Sequence, residues 1–260
     1  MNRRIPASVA TLAVCTYAFL HIPLVALVLF SFNRSRLSAE WTGFTLDWFS
    51  RLATRPDITR AFKLSLQVAT ISTILATILG TLMALALGRL VTRRRRLAEA
   101  LLYLPIVTPE IVAGISLLIL FTAVGVKLGI GTVIIAHTAL SLPFVAVVVL
   151  ARLAGMDRVL EEAALSLGAD ELATFRRVTL PQLWPSVLAG ALLAFTLSFD
   201  DFVITFFVAG VGSTTLPLVV YSMVRRSVEP SINAISTLML VGTTVLVYVA
   251  DRLTRGRRTR

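Results

Sequence analysis

Residues 158–185 read RVLEEAALSLGADELATFRRVTLPQLWP, and residues 186–209 continue as SVLAGALLAFTLSFDDFVITFFVA. The first stretch is hydrophilic but carries an apolar stripe. Leu160, Ala163, Ala164 and Leu167 recur at the spacing of one helical face, with Glu161, Glu162 and Ser166 off it. Gly168 ends that helix, because glycine tolerates a left-handed conformation. Asp170 is an N-cap for a second short helix carrying Leu172, Phe175 and Val178, which Leu180-Pro181 is expected to close off. The second stretch is long enough and apolar enough to cross a hydrocarbon core of about 30 Å. A helix–break–helix in a loop leading into a membrane span needs a purpose for its apolar face. The face packs on this chain or on a partner.

Runs like 186–209 recur. The chain has 260 residues, of which 57% are hydrophobic and 15% charged, and its mean hydropathy is +0.86. Those values exclude an ordinary soluble domain. Six spans are predicted, at 8–31, 61–87, 98–122, 132–153, 186–209 and 232–250. Their continuity excludes barrel strands, which alternate. The fold class is therefore an all-α membrane protein, read as one transmembrane domain over 1–260, with the loop 154–185 inside it. The N-terminal apolar run follows Arg3 and Arg4, as in a signal peptide. It is too long and has no small-x-small cleavage site, so it is read as an uncleaved first span.

Placing both termini in the cytoplasm puts sixteen of the 25 Lys and Arg residues inside and nine outside, the asymmetry that sets orientation. The loop 154–185 is then cytoplasmic. The net charge of +11 resides in loops between apolar runs, which argues for anionic lipid at Arg93–Arg96 and not for nucleic acid. Outside lies a loop at 32–60 with Trp41, Phe44, Trp48 and Phe49, which lines the outer surface or forms part of a docking surface for an external partner. A short re-entrant or interfacial piece is expected at 216–223.

Several chemistries are missing from the sequence. No G-x-x-x-x-G-K-[ST] occurs, so the chain has no phosphate-cradling loop of its own. Cys15 is the only cysteine and His21 and His137 the only histidines, which leaves no paired metal-ligand spacing. No cofactor or metal is expected on this chain. A Ser–His–Asp hydrolase would have to use His137, which is read as a satisfied polar residue in the bundle. Three acids fall inside predicted spans. Glu110 lies about 18 Å, and Asp200 and Asp201 about 20 Å, along theirs. No Lys or Arg lies at similar depth. Such acids face a water-filled path, are protonated or meet a cation, or hold helices together through hydroxyls such as those of Thr108, Thr196 or Ser198. Pro105 and Pro109 bend the span at Glu110.

Glu162-Ala163-Ala164, three residues, Gly168, nine residues, then Val178-Thr179-Leu180-Pro181 resembles the EAA loop of ABC-importer permeases, EAA-x3-G-x9-I-x-L-P, with valine in place of isoleucine. The stretches LLYLPIVTPEIVAGISLL, TLPQLWPSVLAGALLAFTLSFDDFVITFFVAG and TTLPLVVYSMVRRSVEPSINAISTL resemble the spermidine/putrescine-type permease subunits, from about Phe44 onward. The resemblance implies a type I ABC importer (MetI-like) permease fold. It also implies a cytoplasmic ABC ATPase dimer that uses ATP and Mg, a second and different permease subunit, and an extracytoplasmic solute-binding protein. Leu160, Glu162, Ala163, Ala164, Leu167, Gly168, Leu180 and Pro181 would then couple to the ATPase. Glu110, Asp200 and Asp201 would line the solute pathway, for a cation of which a polyamine is the leading candidate. Ferric iron, thiamine or another amine are rival solutes. An ATPase-independent cation channel or proton-coupled carrier is the rival of a different class.

Overall fold

The computed structural model describes residues 7–35, 40–90, 92–157, 159–226 and 230–255. Arg158, which opens the quoted loop, lies outside the described residues, as do Arg3, Arg4, Arg36, Arg257, Arg258 and Arg260, which were counted for orientation. Twelve α-helices follow in order: α1 Ala7–Phe30, α2 Asp47–Thr54, α3 Pro56–Arg89, α4 Thr92–Val107, α5 Glu110–Ala123, α6 Ile130–Ala154, α7 Val159–Ser166, α8 Glu171–Thr174, α9 Leu180–Asp200, α10 Val203–Val208, α11 Leu216–Arg226 and α12 Pro230–Arg255. Among the described residues, five helical stretches are long and apolar enough to cross a membrane, and six if the bent pair α4–α5 counts as one.

Three expectations change. The span at 98–122 is not one helix: α4 stops at Val107, α5 starts at Glu110, and the two meet at 102°. Pro109 forces the break, because its ring disfavours helical backbone at the preceding Thr108 and it has no N–H to donate. The span at 186–209 ends at Asp200, where Asp201 turns extended (ψ 125°) before α10. Leu180-Pro181 does not close the helix after α8. The chain runs from α8 through a π-turn at Phe175–Thr179 straight into α9. Proline costs a helix one i→i−4 bond and a clash. The wide turn, in which Leu180 N donates to Phe175 O, sets that bond aside before Pro181 arrives.

The described chain forms two compact units. The first comprises residues 1–59 and 219–242. In it α1 exposes its apolar side chains all round, and the loop after α1 is folded around Asn33. That buried amide donates to Glu40 O (2.6 Å) and accepts from Thr42 N (3.0 Å), while Asn33 O accepts from Trp48 Nε1 (2.8 Å). Phe32 stacks on Phe44 at 5.4 Å and meets Phe49 at 5.1 Å. The described aromatic residues are therefore partly folded together, with Trp41 and Phe44 still exposed. The interfacial piece expected at 216–223 is the amphipathic α11.

The second unit comprises residues 60–218 and 243–260, and α6 is its centre. Two of the unit's clusters meet on it: one joins Ala76, Ala84 and Leu87 of α3 with Leu183, Val187 and Ala194 of α9, the other joins α3, α5 and α10. Helices surrounded by lipid gain little from apolar burial, so close approach at small residues holds them together. Val145 shows this. A Cβ on Gly80 would lie 2.8 Å from Val145 Cβ and 2.8 Å from Leu142 O, and one on Gly190 would lie 3.1 Å from Val145 Cγ1. The side chain of α6 is gripped by the bare backbones of α3 and α9.

Candidate functional site

Two regions of the second unit carry the residues singled out above. The first is the loop. Val159 N donates to Asp157 Oδ1 (3.0 Å) in the first turn of α7. The helix ends at Gly168, whose φ of +87° is left-handed. Ala169 N donates to Ala164 O and Gly168 N to Leu165 O (3.1 and 3.0 Å), the paired bonds of a Schellman close. A Cβ at Gly168 meets no atom within 4 Å, so conformation alone demands glycine there. Asp170 caps α8, accepting from Ala173 N at 2.6 Å. An N-cap contributes about 1 kcal/mol. We therefore expect Asp170→Ala to speed hydrogen exchange across residues 171–174 about fivefold, and unchanged exchange would contradict the cap.

The orientation of α7 matters more than its existence. Leu160 and Leu167 are 50% and 89% exposed, and Ala163 is exposed with Ala164 half-buried. The inward group is Glu161, off the stripe, whose Oε1 accepts from Thr179 Oγ1 at 2.5 Å. Glu162 is exposed. Leu180 and Pro181, at the start of α9, stand one and two residues beyond that anchor. A cleft of about 740 Å³ beside α7 is lined by Arg89, Arg95, Glu161, Glu162 and Thr179, among others. Arg95 also pairs with Glu99 at 2.8 Å, one turn along α4.

The second region holds the acids. Glu110 is the first residue of α5 and exposed, where a carboxylate suits the helix's positive end. Asp200 is the last residue of α9 and also exposed. Asp201 is mostly enclosed and caps α10, with Ile204 N donating to Oδ1 (3.2 Å) and Thr205 N and Thr205 Oγ1 donating to Oδ2 (2.8 Å each). None of the three is mid-helix: each stands where a helix starts or stops. The hydroxyls named as alternative holders serve elsewhere. Thr108 and Thr196 donate to Leu104 O and Leu192 O, and Ser198 bonds His137. A small cavity of about 100 Å³ brings Glu110 and Asp201 together with His137, Ser198 and Ser141, but not Asp200. Among the described residues, no Lys or Arg lines it.

His137, 3% exposed, is the satisfied polar residue of the bundle that the sequence led one to expect, but its link to Asp201 was not foreseen. Its Nδ1 lies 2.7 Å from Ser198 Oγ, and its Nε2 lies 2.9 Å from Thr205 Oγ1 and 3.2 Å from Asp201 Oδ2. It ties α6 to α9 and α10. The set has the membership of a hydrolytic triad, but Ser198 is buried inside α9, with no sharp turn to present its hydroxyl. The only signal in the sequence was a lone histidine in an apolar run.

Comparison with known proteins places these features. Residues 76–259 match the family described as Binding-protein-dependent transport system inner membrane component. The chain is 41% identical over 241 residues to the Spermidine/putrescine transport system permease protein PotC of Escherichia coli (strain K12), covering 93% of this chain and 91% of that one. It is 40% identical over 241 residues to the Putrescine transport system permease protein PotI of the same organism, covering 90% and 86%. Among solved structures, a bacterial ABC transporter involved in the import of the acidic polysaccharide alginate superposes with a TM-score of 0.75 at 17% identity, over 97% of this chain and 96% of that one. That likeness shows the fold. Helices suited to a membrane, the family match and near full-length likeness to named permeases agree, and the chain belongs to the inner-membrane components of binding-protein-dependent transport systems, the permease subunits of ABC importers.

Proposed function

We propose that this permease subunit imports a polyamine, spermidine or putrescine, through a path that uses Glu110, Asp200 and Asp201. The observation that carries the reading is the meeting of Glu110 and Asp201 at one cavity lined by no described Lys or Arg. Carboxylates without basic partners favour a cation over an anion. The likeness to permeases named for spermidine and putrescine supports the same solute class.

The whole chain, 1–260, acts as one transmembrane domain with both termini in the cytoplasm, and residues 154–185 form its coupling loop. An ABC ATPase dimer docks there, against Leu160, Glu162, Ala163, Ala164 and Leu167. Gly168 shapes the turn, while Leu180 and Pro181 join the loop to α9. The exposed apolar face of α7 supports this, because an unpartnered stripe on a short helix needs a cover. ATP and Mg are used by that partner. A second, different permease subunit completes the path, and a solute-binding protein delivers the solute from outside.

The test is uptake in proteoliposomes containing the full complex. Labelled spermidine or putrescine should accumulate only with binding protein and ATP. Sustained flux through this chain without any ATPase would favour a channel or carrier instead. Accumulation of ferric iron or thiamine, with none of either polyamine, would overturn the solute.

A further inference from the structure

The two oxygens of Asp201 are unequally used. Oδ2 takes both donors of Thr205 at 2.8 Å and lies 3.2 Å from His137 Nε2. Oδ1 takes one bond, from Ile204 N, at 3.2 Å. A carboxylate has about four acceptor positions, so spare capacity is concentrated on Oδ1.

The protons of the network follow from the donors. The Thr205 hydroxyl donates to Asp201. Towards His137 Nε2, 2.9 Å away, its oxygen is therefore an acceptor, and Nε2 carries one hydrogen that it shares between Thr205 Oγ1 and Asp201 Oδ2 at 3.2 Å. In the neutral ring Nδ1 then accepts from the Ser198 hydroxyl at 2.7 Å. Both ring nitrogens are thus committed, and the imidazole is fixed in tautomer and direction. It holds one side of Asp201 from α6 while Thr205 holds it from α10.

We propose that His137 is the positioning residue of the solute site: by sharing Oδ2 with Thr205 it leaves Oδ1 of Asp201, whose cavity Glu110 also lines, to receive one terminal primary ammonium group. The assignment rests on the reading of this chain as an organic-cation permease. The cavity, about 100 Å³, admits an ammonium head with its nearest methylenes and not a whole polyamine. An ammonium offers three N–H donors to two carboxylates, whereas a trimethylammonium offers none and is wider. The site therefore reads the end of the solute.

The test is equilibrium binding of labelled spermidine to the purified permease–ATPase complex without binding protein, whose own affinity would otherwise mask the site. His137→Leu should weaken binding about tenfold, as loss of a bond to a charged group does, and His137→Gln, which restores a donor near Nε2, should recover most of it. A spermidine analogue with trimethylated ends should compete poorly against the unaltered complex. Equal affinity in His137→Leu, or equal competition by the analogue, overturns the assignment. If His137→Leu does not assemble, Thr205→Val, which keeps the shape and removes the hydroxyl, is judged by the same criteria. ATP-driven spermidine uptake with no direct binding sinks this inference alone, and absence of uptake as well sinks the solute reading beneath it.

Discussion

A chain carrying Glu110→Gln, Asp200→Asn and Asp201→Asn together loses polyamine uptake while still assembling with its partners. A hydrogen bond to a charged group contributes about 1.5–3 kcal/mol, so each lost carboxylate that touches the solute costs about tenfold or more. The single changes should differ. Glu110 and Asp200 are exposed at helix ends, so their amides keep the shape and chiefly remove charge. Asp201→Asn keeps one oxygen to accept from Thr205 and turns an NH₂ towards the cavity, where an ammonium would meet a donor instead of an acceptor. Asparagine and glutamine are the right substitutes because alanine at 201 would also remove the cap of α10. Transport and ATP hydrolysis measured side by side in proteoliposomes check this. Unchanged polyamine uptake in all three single variants and in the triple variant removes these acids from the path.

Ala163→Arg and Gly168→Pro are expected to uncouple ATP hydrolysis from uptake or to release the ATPase. Ala163 is exposed, so this chain has room for the longer side chain, and any defect arises at the surface it presents. Gly168→Pro acts differently. Proline is fixed near φ −65° and cannot take the +87° found here, so the Schellman close of α7 is lost and the helix end is re-aimed. Co-purification of the ATPase, followed by the ratio of solute moved to ATP hydrolysed, separates lost docking from lost transmission. Normal assembly and normal coupling in both variants would count against a docking role for α7.

What the sequence made legible was local or periodic. The glycine after α7 and the Asp170 cap each depend on residues within about one helical turn and are found as read, whereas the stripe is found on α7 only as far as Ala164, with Leu167 just past its end. Apolar run length located the spans, because the requirement for a hydrocarbon crossing is a length. The breaks were harder. Pro109 ended α4 where a bend was expected, yet Pro181 sits in a continuous helical path, because a π-turn absorbs its missing donor. A proline alone does not say which will happen. Nothing local marked the end of α9 at Asp200, where the carboxylate of Asp201 supplies donors' partners for α10. His137 was legible as a satisfied polar residue in the bundle, but its partners were not, because they are 61 and 68 residues away and only the packing of α6 against α9 and α10 brings them to it. The bonds of Asn33 escaped for the same reason, since one asparagine bonded to residues 7 to 15 positions on leaves no periodic trace.

The path from Thr179 to Asp201 has a thermodynamic consequence. Thr179 is anchored to Glu161 of α7, and α9 runs unbroken from the next residue to Asp200, a length of about 31 Å. The loop and the acid pair are thus the two ends of one rod. If occupancy of α7 changes the affinity of Asp201 for a cation by some factor, occupancy of Asp201 must change the affinity of α7 for its partner by that same factor. Solute at one end is then an effector of docking at the other, and affinity of the ATPase for the complex, titrated with and without solute, measures the free energy carried along the helix.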